Sequence, residues 1–95
     1  MLATAVLAAA ALAAQSGPAH ASVKLACDGE NVRASAKTTG AVRHVDFIVA
    51  GKRVARDRTR PYVRTLKRAS GKLARVDVRF QDGRTIRLVE RAPRC

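Results

Sequence analysis

The stretch LARVDVRF, residues 73–80, alternates apolar and charged residues: Ala74, Val76, Val78 and Phe80 against Arg75, Asp77 and Arg79. A period of two puts each set on its own side of an extended chain and fits no helix. The same period recurs upstream. Val23, Leu25 and Cys27 share a face of VKLAC, and Val32, Ala34 and Ala36 share a face of VRASAK. In RHVDFIVA, Val45, Phe47 and Val49 point inward, with His44, Asp46 and Ile48 outward. KRVAR (52–56) reads as a short strand around Val54, YVRTLKR (62–68) as extended, and TIRLVER (85–91) as a strand with Ile86 and Leu88 on one face. DGEN, TTG, AGK, DRTRP, ASGK and QDGR fall between them, and Asp82-Gly83 in the last is a strong hairpin signal. About seven short strands at roughly ten-residue spacing, with no 3.6-residue stripe, predict an all-β antiparallel sandwich. A small closed barrel is the alternative. One register stays open. Tyr62 and Leu66 inward carries Arg64 inward too, whereas Val63 and Thr65 inward exposes Tyr62.

The first 21 residues have a different character. From Ala5 to Ala14 every residue is apolar and Ala dominates; Gln15, Ser16, Gly17 and Pro18 then break any helix, and Ala19-His20-Ala21 offers small residues where a signal peptidase reads. This is the pattern of a secretory signal peptide over residues 1–21, although no Lys or Arg precedes the apolar run. The run is too short to span a bilayer, which takes about 20 residues. Cleavage after Ala21 leaves one domain, Ser22 to Cys95, of 74 residues. A domain that small is expected to need a covalent staple. Cys27 and Cys95 supply one: an even pair near both ends of a small exported domain reads as a disulfide. A zinc site would want four ligands, more than His44 and two Cys provide. A catalytic thiol would need a positioned base. KLAC carries Lys24 where a lipoprotein box wants Leu or a similar residue.

The stretch VRHVDFIVAGKRVARDRTRPYVRTL resembles the bacterial immunoglobulin-like domains of secreted and cell-envelope proteins. Their pattern is an apolar-x-Phe strand, a Gly turn, a short strand ending in Asp, and a Pro-aromatic pair opening the next strand; here these are Val45, Phe47, Gly51, Val54, Asp57, Pro61 and Tyr62. Gly71, the run Leu73 to Phe80 and Asp82-Gly83 continue the likeness, which spans residues 23–95. The resemblance implies an Ig-like antiparallel β-sandwich of seven strands. It departs from antibody-type domains in having no Trp and in placing its Cys near the ends of the domain. Ig-like domains host many unrelated tasks, so no activity follows from the resemblance.

Nothing in the sequence asks for catalysis or a cofactor. His44, beside Asp46, has no nucleophile placed near it by any motif. Asp28, Glu30, Asp57, Asp82 and Glu90 fall in turns or at strand ends, and Asp46 and Asp77 are outward strand positions flanked by Arg. No phosphate loop, dinucleotide motif or metal set is present, and a non-enzyme is expected. Charge is the feature that asks for a partner. All 19 basic and all 7 acidic residues lie after Ala21, giving a net charge of +12. Arg outnumbers Lys 14 to 5, which GC-rich codon usage also produces. Between Lys52 and Arg68 eight cations face the single acid Asp57, and Arg53, Arg56, Arg58, Arg60 and Arg64 are the expected polyanion contacts. Charged edge strands also keep sandwiches from pairing with one another.

The expectation is a secreted or surface-associated, non-catalytic basic module at the bacterial cell surface, binding anionic envelope polymers or a surface protein. Two alternatives are a secreted cationic antimicrobial or toxin-like protein and, without export, a nucleic-acid binder blind to sequence, since stacking aromatics are scarce. No membrane span, inserting amphipathic helix or specific nucleic acid is expected. The intact mass of the native protein is expected to begin at Ser22 and to rise by two hydrogens on reduction. A mass that includes residues 1–21, with both thiols free, would contradict export and bridge together.

Overall fold

The computed structural model describes residues 19–95. The expected leader lies outside them up to position 18. Seven strands follow: β1 (His20–Asp28), β2 (Asn31–Thr39), β3 (Val42–Val49), β4 (Lys52–Asp57), β5 (Tyr62–Leu66), β6 (Leu73–Phe80) and β7 (Thr85–Arg91). They form two antiparallel sheets, ordered β1-β2-β5 and β4-β3-β6-β7. The architecture is the sandwich expected from the alternation, of the Ig-like kind that the resemblance implied, not a barrel.

Turn chemistry fixes the hairpins. β3 and β4 are joined by Ala50 and Gly51, with φ of 50° and 81°, so Val49 pairs directly with Lys52. Two consecutive positive φ values make a type I′ turn, whose twist matches that of the strands it joins. Gly29, with φ of 61°, opens the two-residue loop between Asp28 and Asn31 in the same economical way.

The core lies between the sheets. Val32, Ala34, Tyr62 and Leu66 of the three-stranded sheet face Val45, Phe47, Val49, Val76, Val78 and Phe80 of the four-stranded one. Val23 and Leu25 of β1 and Ile86 and Leu88 of β7 cover its margins, half-buried. The open register of β5 is settled in favour of Tyr62 and Leu66, which are 6% and 2% exposed. The strand ends at Leu66 rather than Arg68, because Arg68 turns into the left-handed region with φ of 57°. On β4, Phe47 pairs with Ala55 but Ile48 pairs with Arg53, so Val54 is the extra residue of a bulge and stands 53% exposed. Ile48 points outward as its parity requires, yet it is only 3% exposed. Arg53 and Arg75 lie opposite it on the two neighbouring strands, and arginine stems are apolar enough to cover such a side chain.

Both flanks of the sandwich are closed. On one, β1 lies against β7 and Cys27 is bonded to Cys95, with Cα atoms 5.5 Å apart. The tail carrying Cys95 is itself tied down: Ala92 N–H donates to Lys72 O, Gly71 N–H to Pro93 O, and Cys95 N–H to Ser70 Oγ at 2.8 Å. On the other flank β5 lies against β4, and Arg64 Nε donates to Asp57 Oδ1 at 2.6 Å. Asp57, 9% exposed, is the one buried charged residue among those described.

The bridge closes a loop of 68 residues in sequence separation. Restricting an unfolded loop of that length is worth roughly 4.4 kcal/mol on chain-entropy grounds. Replacing Cys27 and Cys95 together by Ser is therefore expected to lower the unfolding free energy by about 4 kcal/mol in urea titrations. A loss below about 1 kcal/mol would mean that the tail's hydrogen bonds already hold the flank.

Candidate polyanion interface

The strand order explains what the outer face of the four-stranded sheet presents. Outward positions on β4, β3, β6 and β7 align in cross-strand rows. One row reads Arg53, Ile48, Arg75, Val89; the next reads Arg56, Asp46, Asp77, Arg87; a third holds His44, Arg79 and Thr85. Asp46 and Asp77 are directly opposed, an arrangement that repels unless each charge is compensated. Arginines on both sides provide that. Arg56 grips Asp46 with two hydrogen bonds, Nε to Oδ1 at 2.6 Å and Nη2 to Oδ2 at 3.0 Å. Asp77 lies 3.2 Å from Arg87 Nε and 3.4 Å from Arg75 Nε. The Arg56 guanidinium holds the Asp46 carboxyl below the usual carboxylate range, against the opposing effect of burial.

Next to this row, Arg43, His44, Arg79, Thr85 and Arg87 rim a shallow depression of about 400 Å³ with Asp46 and Asp77 at its base. Arg43 is the unpaired residue of a second bulge, where β3 advances from Val42 to His44 while β6 moves only from Phe80 to Arg79. Arg79 Nη1 donates to Thr85 Oγ1 at 3.0 Å. The His44 pKa is lowered, first by burial and then by Arg56, Arg58 and Arg79, while Asp46 works in the opposite sense. Burial and the neighbouring cations thus disfavour protonation of the imidazole. Its Nδ1 lies 3.7 Å from Asp46 Oδ1, and that carboxylate is committed to Arg56.

The five arginines singled out from the sequence sit in different surroundings. Arg53 is exposed on the outer face of β4, and Arg58 and Arg60 are exposed in the loop between β4 and β5. Arg56 is half-buried against Asp46, and Arg64 closes the flank on Asp57. β4 and β5 belong to different sheets but meet on one flank, where Arg64 reaches Asp57. Arg58 lies within electrostatic reach of His44, as does Arg79 of β6. Sequence reading missed Arg43, Arg79 and Arg87. Their signal was available in the outward positions of the alternating strands, but only strand order brings them together. No group of three or more His, Cys, Asp or Glu side chains suited to a metal ion occurs among the described residues, and no helix among them is long and apolar enough to cross a membrane.

No family model and no curated protein matches the chain. Among solved structures it is similar to the fibronectin(III)-like modules of CbhA from Clostridium thermocellum, at 20% identity and a TM-score of 0.54, over 78% of this chain and 99% of that one. At that identity the likeness speaks to the fold, and it agrees with the Ig-like sandwich described above.

Asp46→Asn is expected to lower stability at neutral pH by weakening the Arg56 grip. A depressed folded-state pKa stabilises above the ordinary aspartate value, about 3.9, and the gain is lost as pH falls through the folded value. The gap between the variant and the parent should therefore close in acid. Thermal unfolding of both from pH 7 to pH 2 checks this, and a gap independent of pH would show that the charge is not what the substitution removes.

Proposed function

We propose that the chain is an exported, non-catalytic module that holds to an anionic polymer of the cell envelope through the arginines of its four-stranded sheet. The observation that carries this reading is the imbalance on that face. Arg43, Arg53, Arg56, Arg75, Arg79, Arg87 and Arg91 surround only Asp46 and Asp77, and both acids already serve arginines of the same face. The surplus charge lies at Arg43, Arg53 and Arg79, with Arg58 within electrostatic reach of His44, and guanidinium forks match phosphate oxygens in pairs. Phosphopolymers of the teichoic type are the ligand class this chemistry suits. The Cys27–Cys95 bond supports an oxidising location. Release by a signal peptidase after Ala21 fits the same address. It would take away the pairs His20–Thr39 and Ala21–Thr38 and start β1 at Ser22. Acid–base chemistry at His44 is disfavoured by the commitment of Asp46 to Arg56.

Replacing Arg43, Arg58 and Arg79 by Ala tests the reading on isolated cell envelope. Affinity should fall at least about tenfold at low salt, and the slope of log affinity against log salt should drop by about one for each arginine that met a phosphate. Unchanged retention would overturn it. The variant lacking Arg53, Arg56, Arg58, Arg60 and Arg64 is less informative, because it also breaks the bonds to Asp46 and Asp57.

A further inference from the structure

β2 is the central strand of its sheet, but its last three residues have a neighbour on one side only. Lys37, Thr38 and Thr39 pair with Ser22, Ala21 and His20 of β1. On the other side β5 begins at Tyr62, opposite Ala36. The residue that would extend β5 along β2 is Pro61, which has no N–H to place in a ladder. A sheet edge three residues long is left open inside the sandwich's own outline. Beside it runs a groove of about 570 Å³, walled by Ala36, Pro61, Tyr62 and Val63, with Lys37 and Arg60 at its margins and no carboxylate in its lining. Thr38 points to the core side, and its Oγ1 is buried without a hydrogen-bond partner among the described residues.

We propose that this notch takes an extended, acidic segment of a partner protein, which adds as a strand along Lys37–Thr39 in line with β5. An unpaired backbone edge is a template for another strand and for little else. Three residues of ladder span about 10 Å. The partner residue opposite Thr38 faces the same side of the sheet, so its side chain enters the groove. A hydroxyl at that position would meet the unpartnered Thr38 Oγ1. Lys37, Arg60 and the net charge of +12 select an acidic segment and oppose a second copy of this chain. The site lies on the three-stranded sheet, apart from the arginine face; it belongs to the chain that keeps His20 and Ala21, since release after Ala21 would take away the β1 partners of Thr38 and Thr39, and the test uses that chain.

The test is a titration of the isotopically labelled protein with a synthetic peptide, Glu-Val-Thr-Val-Glu, capped at both ends, followed by amide NMR. The expected result is saturable shifts at Lys37, Thr38, Thr39, Tyr62 and Val63, with slowed amide exchange along 37–39. A peptide N-methylated at alternate amides should not bind. Charge reversal by Lys37→Glu and Arg60→Glu, both exposed positions, should weaken binding about tenfold while leaving the remaining spectrum unchanged. Shifts confined to Arg43, Arg79 and Arg87 would overturn the proposal in favour of charge attraction alone. Equal binding of the N-methylated peptide, or no shifts at millimolar peptide, would overturn it as well.

Discussion

Two sheets packed face to face stay together only as well as the layer between them and the flanks beside it allow. The layer here is thin. Phe47, Phe80 and Leu66 are the largest of its fully buried side chains, and alanines and valines supply most of the rest. The flanks therefore matter more than in a larger sandwich. One is closed by the Cys27–Cys95 bond together with the pinned tail, the other by Asp57 and Arg64. The two closures differ in kind. The covalent one acts mainly on the unfolded chain, by shortening the excursions open to it. The ionic one acts in the folded state, where the nearly buried Asp57 would be left unpaired if Arg64 were removed.

The scarcity of acids shapes the surface. Seven carboxylates serve nineteen cations, and Asp46, Asp57, Asp77 and Asp82 are all engaged in ion pairs. Each of them orders one or more arginines, so the negative charge of the molecule works inward, fixing side chains in place. Asp28, Glu30 and Glu90 are exposed among a larger number of outward cations. Arginine is also a covering residue: Ile48, outside the main core cluster and almost fully buried, lies in the row between Arg53 and Arg75. The same residue type thus shields an apolar position and charges the face above it.

Alternation in 73–80 and 85–91 gave strands whose bounds match the structure residue for residue, because a strand buried on one face writes its period directly into the chain. The cysteine pairing was equally legible, since two cysteines admit one intramolecular partnership. The register of β5 was not. Placing Tyr62 and Leu66 inward puts Arg64 on the same side, where it lies exposed at the flank and bonds Asp57, and that neighbour is a matter of strand order. The surroundings of the arginine segment were hidden for a related reason. Residues 53–64 run through two sheets and the loop between them, and only strand order brings Arg43, Arg79 and Arg87 to one depression.

The position of the Cys27–Cys95 bond has a mechanical consequence. A pull applied between the beginning of β1 and Cys95 passes from Cys27 to Cys95 through the sulfur atoms, so residues 28–94 carry no load. Only His20 to Ala26 would peel from β2, and because β1 is an extended strand that already begins about 24 Å from Cys27, peeling adds little length. Under tension the domain would behave as a nearly inextensible link, with its core and its arginine face outside the loaded path.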